Sequence, residues 1–410
     1  MQGFDTTLAR REPAARTAAQ FSRLRDLLGR ALETAPGWKA HLGEIDPHAV
    51  GTPEALSRLP VLRKSDLPRL QGERPPFGGL ALREPGRLAR LFVSPGPILD
   101  PEGFGSDWWG AARALHALGL EAGDVLHNSF SYHLTPAGAM FESGAHALGC
   151  AVIPAGTAGS EAQVEAIARF GPRAYVGTPD FLKVLLDKAA ELGADVSSLR
   201  LALVSGAALP ASLKRELEGR GLTVRQAYGT ADLGIIAYET GAAEDGMAIS
   251  EDAIVEIVAP GTGDPVPAGE VGELVVTRLN EDYPLFRFAT GDLTALHTSP
   301  AADGITAPRI RGWMGRADQT TKVRGMFVRP EQVAAVARRH PEVGHLRLVV
   351  TREGERDVMV LHAEGADEGV ASALAETLAA VTKLRGTARI VSPGSLPRDG
   401  KVIADERRYD

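Results

Sequence analysis

Residues 199–230 read LRLALVSGAALPASLKRELEGRGLTVRQAYGT. An apolar run of strand length, Leu201 to Val204, gives way at Ser205 to small residues and then to Pro210. A charged stretch with Leu213 and Leu217 at helical spacing follows, and a second strand-like run begins at Leu222. Strand, crossover helix and strand of these lengths describe two parallel neighbours in one sheet. The same alternation runs back towards the N-terminus. Helical DWWGAARALHALGL (107–120) precedes DVLHNSF (124–130), GAMFESGAHALG (138–149) precedes CAVIPA (150–155), SEAQVEAIARFG (160–171) precedes RAYVGTP (173–179), and DFLKVLLDKAAELG (180–193) leads into the opening stretch. The expected class is therefore α/β, a layered architecture around a largely parallel sheet.

Working outward, residues 18–35 place Phe21, Leu24, Leu27, Leu28 and Leu32 on one helical stripe between arginines. Residues 45–70 alternate proline-marked turns with short helical pieces. From 252 to 296 the pattern changes to strand-like DAIVEIVAP, GELVVTRL and FRFATGDLTALH with Gly and Pro between them, a β-rich subdomain. Beyond Gly325 the order reads helix, strand, strand, helix, strand, which suits a small α+β domain. We expect a large N-terminal domain over 1–320 and a small C-terminal domain over 321–410.

Bulk properties narrow the function. A formal net charge of -7 gives no general reason for a nucleic-acid partner. The single cysteine, Cys150, excludes an intrachain disulfide and a multi-cysteine metal site, and reads as a small buried hydrophobe. No uninterrupted apolar run is long enough to span a membrane, so no membrane partner is expected and a cytoplasmic location is the default.

Ligands of parallel α/β sheets gather beyond the carboxyl ends of the strands, which singles out the loops Ser205 to Ala208 and Tyr228 to Asp232. Gly229 permits a tight turn, Thr230 offers a hydroxyl, Asp232 a carboxylate and Tyr228 a flat face for a ring. The same residues also suit a strand-to-helix turn capped by Asp232. Asp292, after Gly291, is suited to the two hydroxyls of a ribose, and equally to a surface turn. Arg311, Arg316, Lys322 and Arg324 form a basic cluster that fits either a phosphate-bearing ligand or a domain joint. Lys401 follows Gly400 near the C-terminus, where a solvated basic tail is the plain alternative.

Taken in order, SPGPILDP, YHLTPAG, SGAALP, AYGTADLG, RFATGDL, GRADQTTKVRG and PRDGK resemble the acyl-adenylate-forming (AMP-forming) ligases, specifically the phenylacetate-CoA ligase family. The resemblance spans nearly the whole chain and includes LSRLPVLRKSDL near its start. It implies an ATP-dependent enzyme that joins a carboxylic acid to AMP with loss of pyrophosphate, then transfers the acyl group to the thiol of coenzyme A. The small domain changes orientation between the steps. Residue by residue, Ser205, Gly206, Ala207 and Ala208 correspond to the adenine-side loop, and Tyr228 with Gly229 to the aromatic-glycine turn. Asp292 corresponds to the ribose aspartate, Arg316 to the arginine beside ribose or phosphate, and Lys401 to the mobile lysine of adenylation. Asp232 falls at the acidic position associated with Mg²⁺ and the ATP phosphates, with Thr230 beside it. Lys322 belongs to the basic segment and Gly325 to the pantetheine path. Tyr132, His133 and Phe141 lie where that family builds its acid pocket, which implies an aromatic, phenylacetate-like acid. Glu239 and Asp252 could modulate this region, and neither is assigned as a general base.

The sequence departs from the family pattern at four places. The phosphate loop is reduced to SPGPILDP, where Ser94 and Gly96 remain but Pro95 and Pro97 remove backbone donors and stiffen the turn. Ala231 and Asp232 replace the customary threonine and glutamate, Ala208 stands where an acid is common, and PRDGK is compact before Lys401. These departures leave open an acceptor other than CoA, such as an amine or carrier protein, and a catalytically silent nucleotide-binding protein on the same scaffold.

Overall fold

A computed structural model describes residues 7–407 apart from 95–96, 208, 242–245, 300–302, 318–320, 325, 354–355, 366 and 399–400. The chain divides into two compact units. The first takes 1–255, 276–288 and 297–313, and the second 256–275, 289–296 and 314–410. The segment 321–410 lies wholly within the second.

The first unit is built on an eight-stranded sheet. Its order is Arg309–Ile310, Met247–Ile249, Gly234–Glu239, Thr223–Thr230, Leu201–Val204, Ala174–Gly177, Val125–Asn128 and Ala151–Pro154. The last five of these are mutually parallel, and the first three continue the sheet antiparallel. The helices Ala137–Leu148, Ser160–Phe170, Pro179–Leu192 and Ala211–Gly219 stand between consecutive strands, as the alternating periodicity requires. Helix–sheet cores form from both kinds of element: Leu115, Leu126, Phe141, Val176 and Leu203 in one, Val164, Leu182, Leu185, Val204 and Leu217 in another. Cys150 is buried, as expected, and burial followed by the charge of Asp124 pushes its thiol up.

Two local readings change in the fold. The stretch from 107 becomes helical only at Ala112–Leu118, because Gly110 takes a left-handed φ of 75° ahead of it. The turn after Tyr228 leads to no helix. The strand continues to Thr230, turns at Ala231–Leu233 and returns antiparallel from Gly234, so Asp232 sits in a hairpin and caps nothing. The long helix Pro13–Thr34 starts where the Glu12 carboxylate accepts the Ala15 N–H at 3.0 Å and Pro13 occupies the first turn. It buries Phe21, Leu24, Leu27, Leu28 and Ala31, leaving Leu32 half-buried.

The β-rich region appears as a four-stranded sheet in the order Leu62–Arg63, Leu285–Thr294, Gly272–Arg278, Ala253–Val258. The second unit contains the sheet Thr387–Val391, Arg356–Glu364, Leu346–Glu353, Ile403–Asp405, with helices Pro330–Arg339 and Ala371–Thr382. Its core joins Val333 and Val336 of one helix and Leu374 and Leu378 of the other to Leu348, Val350 and Leu361 of the strands. Among the described residues no helix is long and apolar enough to cross a membrane.

Candidate nucleotide site

A cavity of about 690 Å³ opens in the first unit beyond the ends of the strands Leu201–Val204 and Thr223–Thr230. Both loops singled out from the sequence line it: Ser205, Gly206 and Ala207 from one, Tyr228 and Gly229 from the other. Gly206 has a φ of 74°, which turns the chain sharply after the strand, and the Ser205 N–H is held by the Gly177 carbonyl at 3.1 Å. A β carbon on Gly229 would come within 2.5 Å of the Gly234 carbonyl oxygen. Glycine is therefore what lets the two arms of the hairpin close, and the register shifts at that point.

The rest of the wall includes Arg311 of the basic cluster together with residues assigned no defined site role from sequence. Gln226, Glu239, Met247, Arg311, Gly312 and Trp313 line the cavity, and Trp313 remains 53% exposed. Glu239 lies directly opposite Met247 in the antiparallel extension of the sheet. Its carboxylate accepts the Lys214 ammonium at 3.2 Å, the Gln226 backbone N–H at 3.0 Å and the Gln226 side-chain amide at 3.3 Å. Its position could have been anticipated from strand alternation, since Glu239 and Tyr238 must point to opposite faces. A site of this volume, mostly apolar with a few convergent polar groups, suits a small-molecule ligand carrying a flat ring.

Asp232 points elsewhere. Its side chain has no solvent exposure, and one oxygen lies 2.5 Å from the Lys64 ammonium. The other has no hydrogen-bond partner among the described residues. Asp100, 1% exposed, contributes a second carboxylate to this group, and among the described residues neither of its oxygens is within hydrogen-bonding geometry of a partner. Burial, reinforced by the charge of Asp232, raises the Asp100 carboxyl to about 7. Thr230 is committed as well, its hydroxyl accepting the Leu233 N–H at 3.2 Å across the turn. An inward-facing carboxylate already bound to an ammonium does not fit a ligand of a phosphate-borne cation. Among the described residues no group of three or more His, Cys, Asp or Glu side chains is arranged to hold a metal.

Ser94 ends the strand Arg90–Ser94, which pairs antiparallel with Ile98–Glu102 in a short hairpin where the family's phosphate loop is expected. Its hydroxyl donates to the Ile98 carbonyl at 3.3 Å inside that hairpin. Gly96, Ala208 and Gly325 lie outside the described residues, as does the side chain of Lys322, whose backbone belongs to the strand Thr321–Val323.

Among the acid-side residues, Phe141 is buried and stacks on Phe130 with ring centroids 5.0 Å apart and planes 10° apart. A β carbon at Gly206 would meet Phe130 at 3.6 Å, so this stack packs directly under the Ser205–Ala207 loop. The Tyr132 hydroxyl accepts from the Asn128 amide at 2.9 Å, and burial followed by the neighbouring Glu142 raises it above its ordinary value. His133 is exposed, with its backbone N–H on the Ser131 hydroxyl.

The second unit contains Asp292, Arg316 and Lys401. Asp292 and Arg316 face each other as an isolated antiparallel bridge, and the guanidinium reaches the carboxylate at 3.0 Å. Gly291, with a φ of 76°, makes room for this, because a β carbon there would lie 2.8 Å from the guanidinium. Lys401 is exposed just before the edge strand Ile403–Asp405.

The chain is similar over most of its length to known proteins. A family model described as AMP-binding enzyme matches residues 115–280. The phenylacetate-coenzyme A ligase of Thermus thermophilus is 34% identical over 365 residues, covering 85% of this chain and 81% of the relative. That of Escherichia coli is 29% identical over 414 residues, covering 94% and 93%. A crystal structure of 2-hydroxyisobutyryl-CoA ligase with 2-HIB-AMP and CoA superposes with a TM-score of 0.70 at 25% identity, covering 97% of this chain and 91% of that one.

Proposed function

Since the chain belongs to the phenylacetate-CoA ligase family of adenylate-forming enzymes and is an ATP-dependent, AMP-forming acid–thiol ligase, we propose that its acid is aromatic and its thiol that of coenzyme A. The observation that carries the nucleotide half of this reading is the cavity itself, whose wall gathers Ser205, Gly206, Tyr228 and Gly229 at the carboxyl ends of parallel strands. Tyr228 would lie against the adenine, with the small side chains and glycines letting the ring approach the backbone. Asp292 would accept from the ribose hydroxyls, with Arg316 steadying that carboxylate from 3.0 Å. The stacked Phe130–Phe141 pair beneath the loop, together with Tyr132, is what supports an aromatic acid, since a planar substrate ring near that loop would have aromatic neighbours.

In the first half-reaction a carboxylate oxygen attacks the α-phosphorus, an O–P bond forms, and the bond to the departing pyrophosphate breaks. Lys401 would place a fixed positive charge against the negative charge building on the attacking and non-bridging oxygens. In the second, the thiol sulfur attacks the acyl carbonyl, the thiol proton is lost and AMP leaves. The segment 321–410 is proposed as the mobile domain that presents Lys401 for the first step and clears it for the second. Mg²⁺ would arrive with the ATP phosphates, and no role at it is assigned to Asp232.

A panel containing phenylacetate, other aryl acids and 2-hydroxyisobutyrate, each with ATP, Mg²⁺ and CoA, tests the reading through acid-dependent pyrophosphate release and product masses. Aryl acids are expected to give AMP and aryl acyl-CoA. Preference for the small hydroxy acid would overturn the aromatic assignment, and an adenylate trapped by hydroxylamine without any thioester would overturn the CoA assignment.

A further inference from the structure

We propose that Glu239 reads the 6-amino group of the purine and makes this enzyme selective for ATP over 6-oxopurine nucleotides, an inference that rests on the nucleotide reading of the cavity given above. Glu239 lines the same cavity as Tyr228, yet its side chain is only 3% exposed to solvent. A ring lying on Tyr228 would therefore meet this carboxylate in a place where water cannot compete. Its acceptor capacity is not used up. A carboxylate offers about four lone-pair sites, and among the described residues the bonds to Oε2 come from Lys214 and the Gln226 N–H, whereas Oε1 receives one bond, from the Gln226 amide at 3.3 Å. Oε1 can therefore accept another N–H from a ligand edge.

Adenine presents a donor at position 6 and guanine or hypoxanthine an acceptor. The first complements Glu239, and the second sets an oxygen against a buried carboxylate that cannot donate. Lys214 and the backbone N–H fix the carboxylate's orientation, so it cannot swing away to accommodate the wrong base. The other role open to Glu239 is a plain tie between the helix Ala211–Gly219 and the sheet through Lys214. Such a tie would affect folding and leave base preference unchanged.

The test compares ATP, inosine triphosphate and GTP as substrates of the full chain, through kcat/KM for acid-dependent pyrophosphate release, in the wild type and in Glu239→Gln. AMP and inosine monophosphate binding by calorimetry supplies a second measure. Glutamine keeps the size and one acceptor but its amide can turn its donor towards a 6-oxo group. The wild type is expected to favour ATP by about 100-fold or more, and the variant to keep its melting temperature while this ratio falls below about tenfold. A wild type that uses inosine triphosphate as well as ATP, or a variant that keeps the full ratio, overturns the proposal. If no acid yields an adenylate, the functional reading fails while the AMP to inosine monophosphate binding ratio still decides this one. If turnover is robust and the ratio is flat, only this inference fails.

Discussion

Lys64 and Lys401 carry the same charge and are held in opposite ways. In the first unit the ammonium of Lys64 is itself the anchored part, 2.5 Å from a carboxylate with no solvent exposure. In the second unit it is the backbone around Lys401 that is anchored. Its carbonyl accepts from Arg347 at 3.2 Å, and Ile403 pairs with Leu348 just beyond it. Upstream, the Leu396 N–H and the Arg398 guanidinium both bind Glu364, at 2.9 and 3.1 Å. The loop is thus tied at both ends while the side chain is left exposed. A lysine whose charge is spent on a buried acid serves the fold. A lysine on the exposed surface beside a fixed main chain is placed where a reaction could use it.

The largest effect expected from this contrast is at Lys401. Lys401→Ala should slow adenylate formation by about 100- to 1000-fold, the usual loss when one stabilising charge or donor leaves a transition state. Thioester formation from supplied acyl-adenylate should fall far less. Single-turnover measurements of the two half-reactions check this, and an equal loss in both would place Lys401 with Lys64 as a structural cation.

Lys64→Met is the converse. It leaves Asp232 and Asp100 buried without their cation, and removing one member of a buried pair costs about 3 kcal/mol, towards the low end of the usual range because Lys64 is itself 29% exposed. Urea denaturation should show the midpoint falling with little change in slope. A variant as stable as the parent would mean that the pair contributes nothing to the fold and that the contrast between the lysines is wrong.

Why one lysine was legible and the other was not is a matter of range. Lys401 stands in the compact PRDGK, whose resemblance to the family's terminal motif is what suggests a role for it. The partner of Lys64 is 168 positions away, and no local pattern links the two. The same holds across the fold. The strands at 125–128, 151–154, 174–177 and 201–204 and the helices between them follow from local periodicity, as does the helix–strand–strand–helix–strand order from Pro330 to Val391, whereas the short strands Met326–Val328 and Ile403–Asp405 were not anticipated. The hairpin after Thr230 does not, because it depends on Gly229 lying against the Gly234 backbone, a contact between strands. In the cavity, the glycines and Tyr228 were legible as a motif. For Glu239, strand alternation could have given its face opposite Tyr238, but the convergence of Lys214 and Gln226 on it is a contact between elements that no local pattern shows.

A third test sharpens the buried side of the contrast. Asp100 has a folded-state carboxyl raised to about 7, through burial first and Asp232 second, against an ordinary 3.8. Below about pH 4 it is protonated in both folded and unfolded chains and has no effect. As pH rises towards 7 the unfolded chain releases the proton while the folded chain keeps it, so stability falls across this window and the penalty is complete above it. Keeping the proton over so wide a range costs roughly 4 kcal/mol at the alkaline end, and a buried amide in its place costs part of that back. Asp100→Asn should therefore be more stable than the parent at pH 8 by about 2 kcal/mol and no more stable at pH 4. Parallel stability curves for the two proteins between pH 4 and 8 would show that Asp100 ionises normally.

The smallest effect is expected at Gly291, which lets the second unit form its own ion pair. A left-handed φ of 76° costs a side-chain-bearing residue about 1 kcal/mol. The β carbon of Gly291→Ala would also press on the Arg316 guanidinium from 2.8 Å. Arg316 is the far end of a flexible chain and 48% exposed on its side chain, so it can retreat, at the expense of its 3.0 Å bond to Asp292. The fold should lose about 1 kcal/mol, and the KM for ATP should rise a few-fold with kcat little changed, as for a loss of binding shared by ground and transition states. A stability loss with an unaltered KM would detach the Asp292–Arg316 pair from the nucleotide and leave it, like Lys64–Asp232, a feature of the fold alone.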